Sequence, residues 1–305
     1  MICAVGNINI DWICTLSHLP TPDEKLNIHS LSIFPGGAAA NFAVSLARLG
    51  SKVRLFGHVG EDSGGREALK SLRDEKVDTS LVIHEKDLAT GLVIILVDNT
   101  GQTMKLRFRG ANSRLSPNDI TPALLADVDI AYAASISIPL ATKIAAVSNQ
   151  MGICSAIDVG EEITKQSLDK VRDMICSFSI VFMNQLVFKR IFKQQPILKN
   201  IQAEVGGALE LLTVTLGRKG SITATKDLVF KTPTFQVETV DTTGAGDAFA
   251  AGFIHYYNQR LPLVETAKRA AVCASLQVTQ PGGREGLPTA QQVEDFLKTA
   301  EEEGS

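Results

Sequence analysis

The sequence predicts an α/β protein: a central, mainly parallel sheet flanked by helices, with a small β-sheet lid. Three observations carry that expectation. Short apolar, β-rich runs alternate with segments of helical period along most of the chain. Two regions, about 12–34 and 90–110, break the alternation and read as strand pairs without helices. The 305 residues, 45% hydrophobic and 21% charged, suffice for one large α/β domain and exclude a disordered, coiled-coil or collagen-like chain. The expectation is therefore one domain over 1–305, with the lid inserted into the α/β core.

The core strands are expected at 2–7, 52–59, 129–135, 153–159, 179–184 and 211–217. Helices are expected at about 38–49, 62–75, 139–150, 167–176, 185–194, 198–208, 246–259, 262–279 and 289–302. The first of these carries Ala39, Phe42, Ala43, Leu46 and Leu49 on one face and is stopped by Gly50. In the lid, DWICTLSHL pairs with KLNIHSLSIF, and TGLVIILVD with TMKLRFRG through a hairpin turn at DNTGQ. Alternation in Leu26/Ile28 and in Met104/Leu106/Phe108 predicts one buried and one wetter face. Such a flap would close over a cleft, form an oligomer interface, or do both.

Charge and cysteine usage narrow the function classes. A net charge of −3 without a basic cluster leaves no footprint for nucleic acid or acidic lipid. No stretch approaches the roughly 18 apolar residues needed to span a bilayer. The opening MICAVGNINIDWI lacks the basic start of a signal peptide and reads as a first strand. The five cysteines are scattered and form no CxxC pair, which argues against a zinc site or disulfide framework and for a reducing, cytoplasmic setting. Glu301-Glu302-Glu303 reads as a solvated tail.

Three motifs can carry chemistry. In VDTTGAGDAFAAGF (240–253), Gly244 and Gly246 sit where the chain enters a helix beginning near Asp247. Unpaired N–H groups and the helix dipole there make an anion site suited to a phosphoryl group. Asp247 either caps the helix or accepts the proton of an attacking hydroxyl. In FPGGAAANFAVSLARLG (34–50), Gly36 and Gly37 admit close backbone approach to a ligand, and Asn41 follows on the first turns of an apolar helix face. In GNINID (6–11), Asn9 and Asp11 alternate with Ile8 and Ile10, so both polar side chains point to one side at a strand end. Taken alone, the 34–50 motif reads equally well as a plain strand–helix turn, and GNINID reads better as a polar turn. No Walker P-loop, GxGxxG, GxSxG or HExxH is present, and a dinucleotide-dependent dehydrogenase fails on the missing fingerprint.

Taken together, the chain resembles the PfkB (ribokinase-like) carbohydrate kinase family. PGGAAANFAVSLARLG is similar to that family's N-terminal signature and DTTGAGDAFAAGF to its C-terminal one. GHVGEDSGG, KVDTS, Thr90-Gly91, GANSRLSPNDI and TLGRKG fall between them in family order, so the resemblance covers nearly the whole chain. It implies a ribokinase-like fold and an ATP-dependent phosphotransferase acting on a hydroxymethyl group. Asp247 would be the general base, with Gly244, Ala245 and Gly246 supplying anion-hole amides. Asn9, Asp11, Gly36, Gly37 and Asn41 would hold the acceptor, with Asp11 and Asn41 on its hydroxyls. Asn184, Thr215, Gly217 and Gly220 would serve the nucleotide. Mg²⁺ would travel with ATP, and Asp241, Thr243 and Gly282 match where some members hold a monovalent cation such as K⁺.

The chain departs from the pattern in three places. The family's NxxE motif appears as Asn184-Gln185-Leu186-Val187, so Val187 stands where the glutamate is expected. The first signature reads GGAAAN rather than the ribokinase GGKGAN, and Ser135–Ile138 lacks the ribokinases' substrate-binding glutamate. A ribose-like sugar is the leading acceptor. A nucleoside is the alternative within the family, with Ile10, Trp12, Phe34 and Phe108 as candidate walls for a base. From another class, the weakened NxxE motif leaves room for a non-catalytic sugar-binding regulator. The resemblance also implies a homodimer through the lid.

Overall fold

The computed structural model describes residues 1–303. Its main sheet has eight strands: β1 (Ile2–Gly6), β4 (Val53–Phe56), β9 (Ile130–Ala134), β10 (Cys154–Val159), β11 (Ile180–Asn184), β12 (Leu211–Thr215), β13 (Ser221–Ala224) and β14 (Val229–Thr232). Their spatial order is β14-β13-β12-β11-β10-β9-β1-β4. The six strands from β4 to β12 run parallel, and β13 and β14 add an antiparallel edge. Period-2 alternation splits each central strand between two cores. Cys3, Val5, Ala131, Ala133, Val181 and Met183 face one, and Ile2, Ala4, Tyr132, Ile180 and Phe182 the other.

The first core is closed by α3 (Ile138–Met151), α4 (Leu168–Ile175) and α5 (Gln185–Phe192). The second is closed by α1 (Ala38–Arg48), α2 (Ser63–Asp74), α7 (Ala245–Asn258) and α8 (Leu263–Gln277). A short α6 (Leu198–Gln202) and the C-terminal α9 (Ala290–Glu303) complete the helices. The helix expected over 198–208 ends at Gln202: Glu204 and Val205 N–H bond back only three residues, and the chain then turns at Gly206-Gly207, with Gly207 at φ 63°. Glu301 to Glu303 form the last turn of α9 rather than a free tail, and Glu301 pairs with Lys268 at 2.7 Å.

A separate four-stranded sheet is built from β2 (Asn9–Thr15), β3 (Ser30–Gly36), β7 (Gly91–Val97) and β8 (Thr103–Phe108), in the order β3-β2-β7-β8. The DNTGQ turn closes as expected, Asp98 N–H donating to the Gln102 carbonyl at 3.0 Å. A small parallel pair, β5 (His58–Gly60) with β6 (Ile83–Glu85), takes the end of the expected 52–59 strand, which breaks at Gly57. The next two strands of the main sheet in sequence, β4 and β9, flank β1 on opposite sides. That reversal opens a crevice at the carboxyl ends of the strands, where β2 and the 135–138 segment begin.

One expectation for the small sheet is overturned. Met104, Leu106 and Phe108 are 39%, 51% and 53% exposed, and Ile28 lies before the strand and is also exposed. Alternation identifies two faces of a strand but does not say which face is covered.

Candidate active site

The two glycine motifs meet at the N-terminal ends of α1 and α7. Helix α7 starts at Ala245 behind Gly244, whose φ of 78° is left-handed, and no side chain caps it. Asp247 therefore lies inside the first turn and does not cap the helix. Its Oδ2 instead accepts a hydrogen bond from Asn41 Nδ2 at 3.0 Å, joining motifs 206 residues apart. Helix α1 starts after Gly37, whose φ of 98° and close approach to the Asn7 carbonyl exclude a side chain. A Cβ there would lie 2.3 Å from that oxygen.

Arg284, which the sequence reading missed, organises this side of the site. It is only 4% exposed, donates Nε to Asn41 Oδ1 at 2.8 Å, and donates Nη2 to the Gly36 carbonyl at 3.1 Å. Burial pulls its pKa down to about 10, with the nearby Asp11 carboxylate opposing that fall, so it stays charged at neutral pH. Asp11 lies against Gly36, and a Cβ on that glycine would fall 2.1 Å from Asp11 Oδ2. Asn9 is held through Asn112, whose Nδ2 donates to Asn9 Oδ1 at 2.9 Å and whose Oδ1 accepts from Ile8 N–H at 3.0 Å. Asn112 belongs to the quoted GANSR segment, but its role depends on a partner about a hundred residues away, which no local spacing reveals.

Three carboxylates share this low-dielectric region. Burial pushes Asp247 up to about 7, reinforced by Asp158, while the Asn41 hydrogen bond and Arg284 pull it down. Burial raises Asp158 to about 7 and Asp11 to about 6, the latter against the pull of Arg284 and Lys105. Asp158 is also absent from the sequence reading. Its signal is a lone carboxylate one residue from the carboxyl end of a core strand.

Beside the Ala245-Gly246 turn the chain forms a half-open cavity of about 650 Å³, within the size range of small-ligand sites. Thr215, Gly217 and Gly220 line it beside Ala245 and Gly246. Phe235, Phe249, Ala271, Ala274 and Val278 give it an apolar wall. Gly246 points into open space. Asn184 lines an adjoining cavity of about 100 Å³ together with Asp158, Thr215 and Gly246. Its Oδ1 caps α5 by accepting from Leu186 and Val187 N–H, both at 2.9 Å. Val187 is 1% exposed and packs into the core, away from this cavity's lining.

Asp241, Thr243 and Gly282 come together on the flank of the α7 turn. Asp241 accepts from Thr243 N–H and Gly282 N–H, both at 2.9 Å. The Thr243 and Gly282 carbonyls, however, are both bonded by the Gln277 side chain. The candidate base-stacking walls divide. Strand register puts Phe34 on the Asp11 face of the small sheet, whereas Ile10, Trp12 and Phe108 lie on its opposite face.

Comparison with known proteins agrees with this geometry. The deoxyribokinase of Salmonella typhi is 28% identical over 98% of this chain and 99% of its own. The ribokinase of Haemophilus influenzae is 26% identical over 98% and 99% of the two chains. The crystal structure of the nucleoside kinase of Methanocaldococcus jannaschii superposes with a TM-score of 0.87 at 26% identity, covering 98% of each chain. The model of the pfkB family of carbohydrate kinases matches residues 1–290, and this protein belongs to that family.

Proposed function

We propose that this kinase moves the γ-phosphoryl group of ATP onto the hydroxymethyl group of a small, ribose-like sugar, with Asp247 as general base. One observation carries the reading. Asp247 links two compartments: its carboxylate is bonded to Asn41, with Arg284 on the other side of that amide and Asp11 nearby, and its chain neighbour Gly246 lines the cavity with Thr215, Gly217 and Gly220. Asp247 takes the proton of the acceptor hydroxyl, and that oxygen bonds to the γ-phosphorus. The bond from phosphorus to the bridging oxygen breaks, and ADP departs. The Ala245 N–H is used on the Thr242 carbonyl, which leaves the Gly244 and Gly246 N–H groups to meet the charge that develops on the phosphoryl oxygens. The apolar wall around Phe235 and Phe249 suits an adenine ring.

Mg²⁺ would be carried chiefly by the nucleotide's phosphates and neutralise their charge. Asp158, which lines the smaller cavity with Gly246, fits such an ion through its water shell, whereas the Asn184 Oδ1 is already used by the two N–H groups of the α5 cap. Phe34, on the Asp11 face, favours a nucleoside as the second reading because its ring can stack on a base. The small sheet would act as a lid over the acceptor, and its exposed face as a homodimer contact. Among the described residues no helix is long and apolar enough to cross a membrane. The free cysteines suit a cytoplasmic setting.

ADP release from Mg·ATP against a panel of free sugars and nucleosides tests the reading, with Asp247→Asn in parallel. Turnover with ribose or a close relative supports it, and turnover confined to nucleosides moves the acceptor to the second reading. Retained turnover in Asp247→Asn would remove Asp247 as the base.

A further inference from the structure

On the flank of the α7 turn, the Thr243 and Gly282 carbonyls converge beside the Asp241 carboxylate, a set of oxygens that would suit a bound cation. They are already taken. Gln277, the last residue of α8, has no exposed surface and donates Nε2 to the Thr243 carbonyl at 3.1 Å and to the Gly282 carbonyl at 2.7 Å. An amide NH₂ has two hydrogens, and both are used here. The partners also fix which way the amide faces. Turned over, its oxygen would face two carbonyl oxygens at contact distance. Each oxygen of Asp241 also accepts one backbone N–H, from Thr243 and from Gly282, so the carboxylate helps hold the same two loops together. A cation between the two carbonyls would have to sit where Nε2 sits, so these residues do not fit bound K⁺ with Gln277 in place.

We propose that the Gln277 side-chain amide replaces a monovalent cation in this enzyme, so that neither its fold nor its turnover depends on K⁺. The amide clasps the loop before α7 to the loop after α8, and that second loop positions the site. Gly283 packs on Gly244 so closely that a Cβ at 244 would lie 2.5 Å from the Gly283 carbonyl oxygen. The next residue, Arg284, holds Asn41, and Asn41 holds Asp247. Gln277 is thus a positioning residue that acts through Gly282, Arg284 and Asn41. A covalently attached amide cannot exchange into solvent as an ion does, which makes the clasp independent of salt composition. It also brings no full positive charge to the phosphoryl site. The transition state there is left to the backbone N–H groups and the α7 dipole.

The test compares wild type with Gln277→Ala and with Gln277→Met, which keeps the volume but has no donor. Each is measured in KCl and in tetramethylammonium chloride at equal ionic strength, by thermal melting and by initial rate. The rate arm rests on the phosphotransfer reading above. The melting arm needs no acceptor and stands if that reading fails. The wild type is expected to give the same Tm and rate in both salts. Gln277→Ala frees the two carbonyls beside a gap, so its Tm and rate are expected to fall and to recover partly in K⁺ but not in tetramethylammonium. Gln277→Met is expected to lose rate in both salts, because its side chain fills the gap. A wild-type Tm raised by K⁺ over tetramethylammonium would overturn the proposal. So would a Gln277→Ala protein whose losses K⁺ leaves untouched, since Gln277 would then be a packing residue.

Discussion

Asp247 carries the sharpest expectations. As a base it must be ionised, and its surroundings hold it at about 7. The kcat/KM should therefore rise with pH and level off above about 7. The Asn41 hydrogen bond pulls that value down, so Asn41→Ala should move the acidic limb to higher pH; a pH–rate profile with its limb unmoved would sever the link between the two. Asp247→Asn should cut kcat by orders of magnitude with nucleotide affinity nearly intact, as calorimetry can show. Asp11→Ala should act mainly on the KM of the acceptor. The same carboxylates set a stability trend. Asp11, Asp158 and Asp247 are raised in the fold from 3.8 to about 6, 7 and 7, so the folded chain binds more protons than the unfolded one across that window. Stability contributed by these groups is present in full below pH 3.8 and is lost as pH rises toward 7. Asp158→Asn and Asp247→Asn should thus melt higher than wild type at pH 8, with the gap closing toward pH 4. Equal melting of wild type and variants at pH 8 would contradict the burial argument.

At the scale of elements, the two glycines that open α7 should separate under substitution. Gly244 is left-handed and abuts the Gly283 carbonyl, so Gly244→Ala costs about 1–2 kcal/mol in backbone alone and must also push that loop aside. Gly246 has helical neighbours and open space, so Gly246→Ala should raise stability by about 0.5–1 kcal/mol. It should also lower turnover by placing a methyl group in the phosphoryl path. Melting and initial-rate measurements on the pair check both signs; a Gly246→Ala enzyme of full activity would move the phosphate elsewhere. The glycines were legible in the sequence because a turn with a left-handed residue leaves a local mark. The six parallel strands were legible for a similar reason, since burial on both faces writes continuous apolar runs. The antiparallel edge strands Ser221–Ala224 and Val229–Thr232 were not, because four residues of mixed polarity are too short for a pattern. Arg284, Asn112, Asp158 and Gln277 were hidden for another reason. Each does its work on a residue brought near by the fold, as when Arg284 reaches Asn41 across 243 positions.

Across the whole molecule, the small sheet has two unlike faces. Asp11, Phe34, Lys105 and Arg107 share one, and Lys105 is close enough to lower the Asp11 pKa. Trp12, Leu31, Ile33, Met104, Leu106 and Phe108 share the other, and each is between 38% and 53% exposed. A contiguous apolar face of that kind on a sheet with a free edge at Thr103–Phe108 favours association, since leaving it in water costs about 25 cal/mol per Å². A second copy of the chain is the partner we expect there, and sedimentation velocity at micromolar concentration should show a dimer. Leu106→Glu places a charge in the middle of the face and should yield a monomer of unchanged core stability. The sheet that carries Asp11 would then lose its support on the outer side. The acceptor KM should rise in the monomer, while ATP affinity should stay the same, because the proposed nucleotide cavity around Thr215 and Gly246 includes no residue of the small sheet. A wild-type monomer at those concentrations would remove the dimer. A Leu106→Glu monomer with an unchanged acceptor KM would show that the lid holds its shape without a partner.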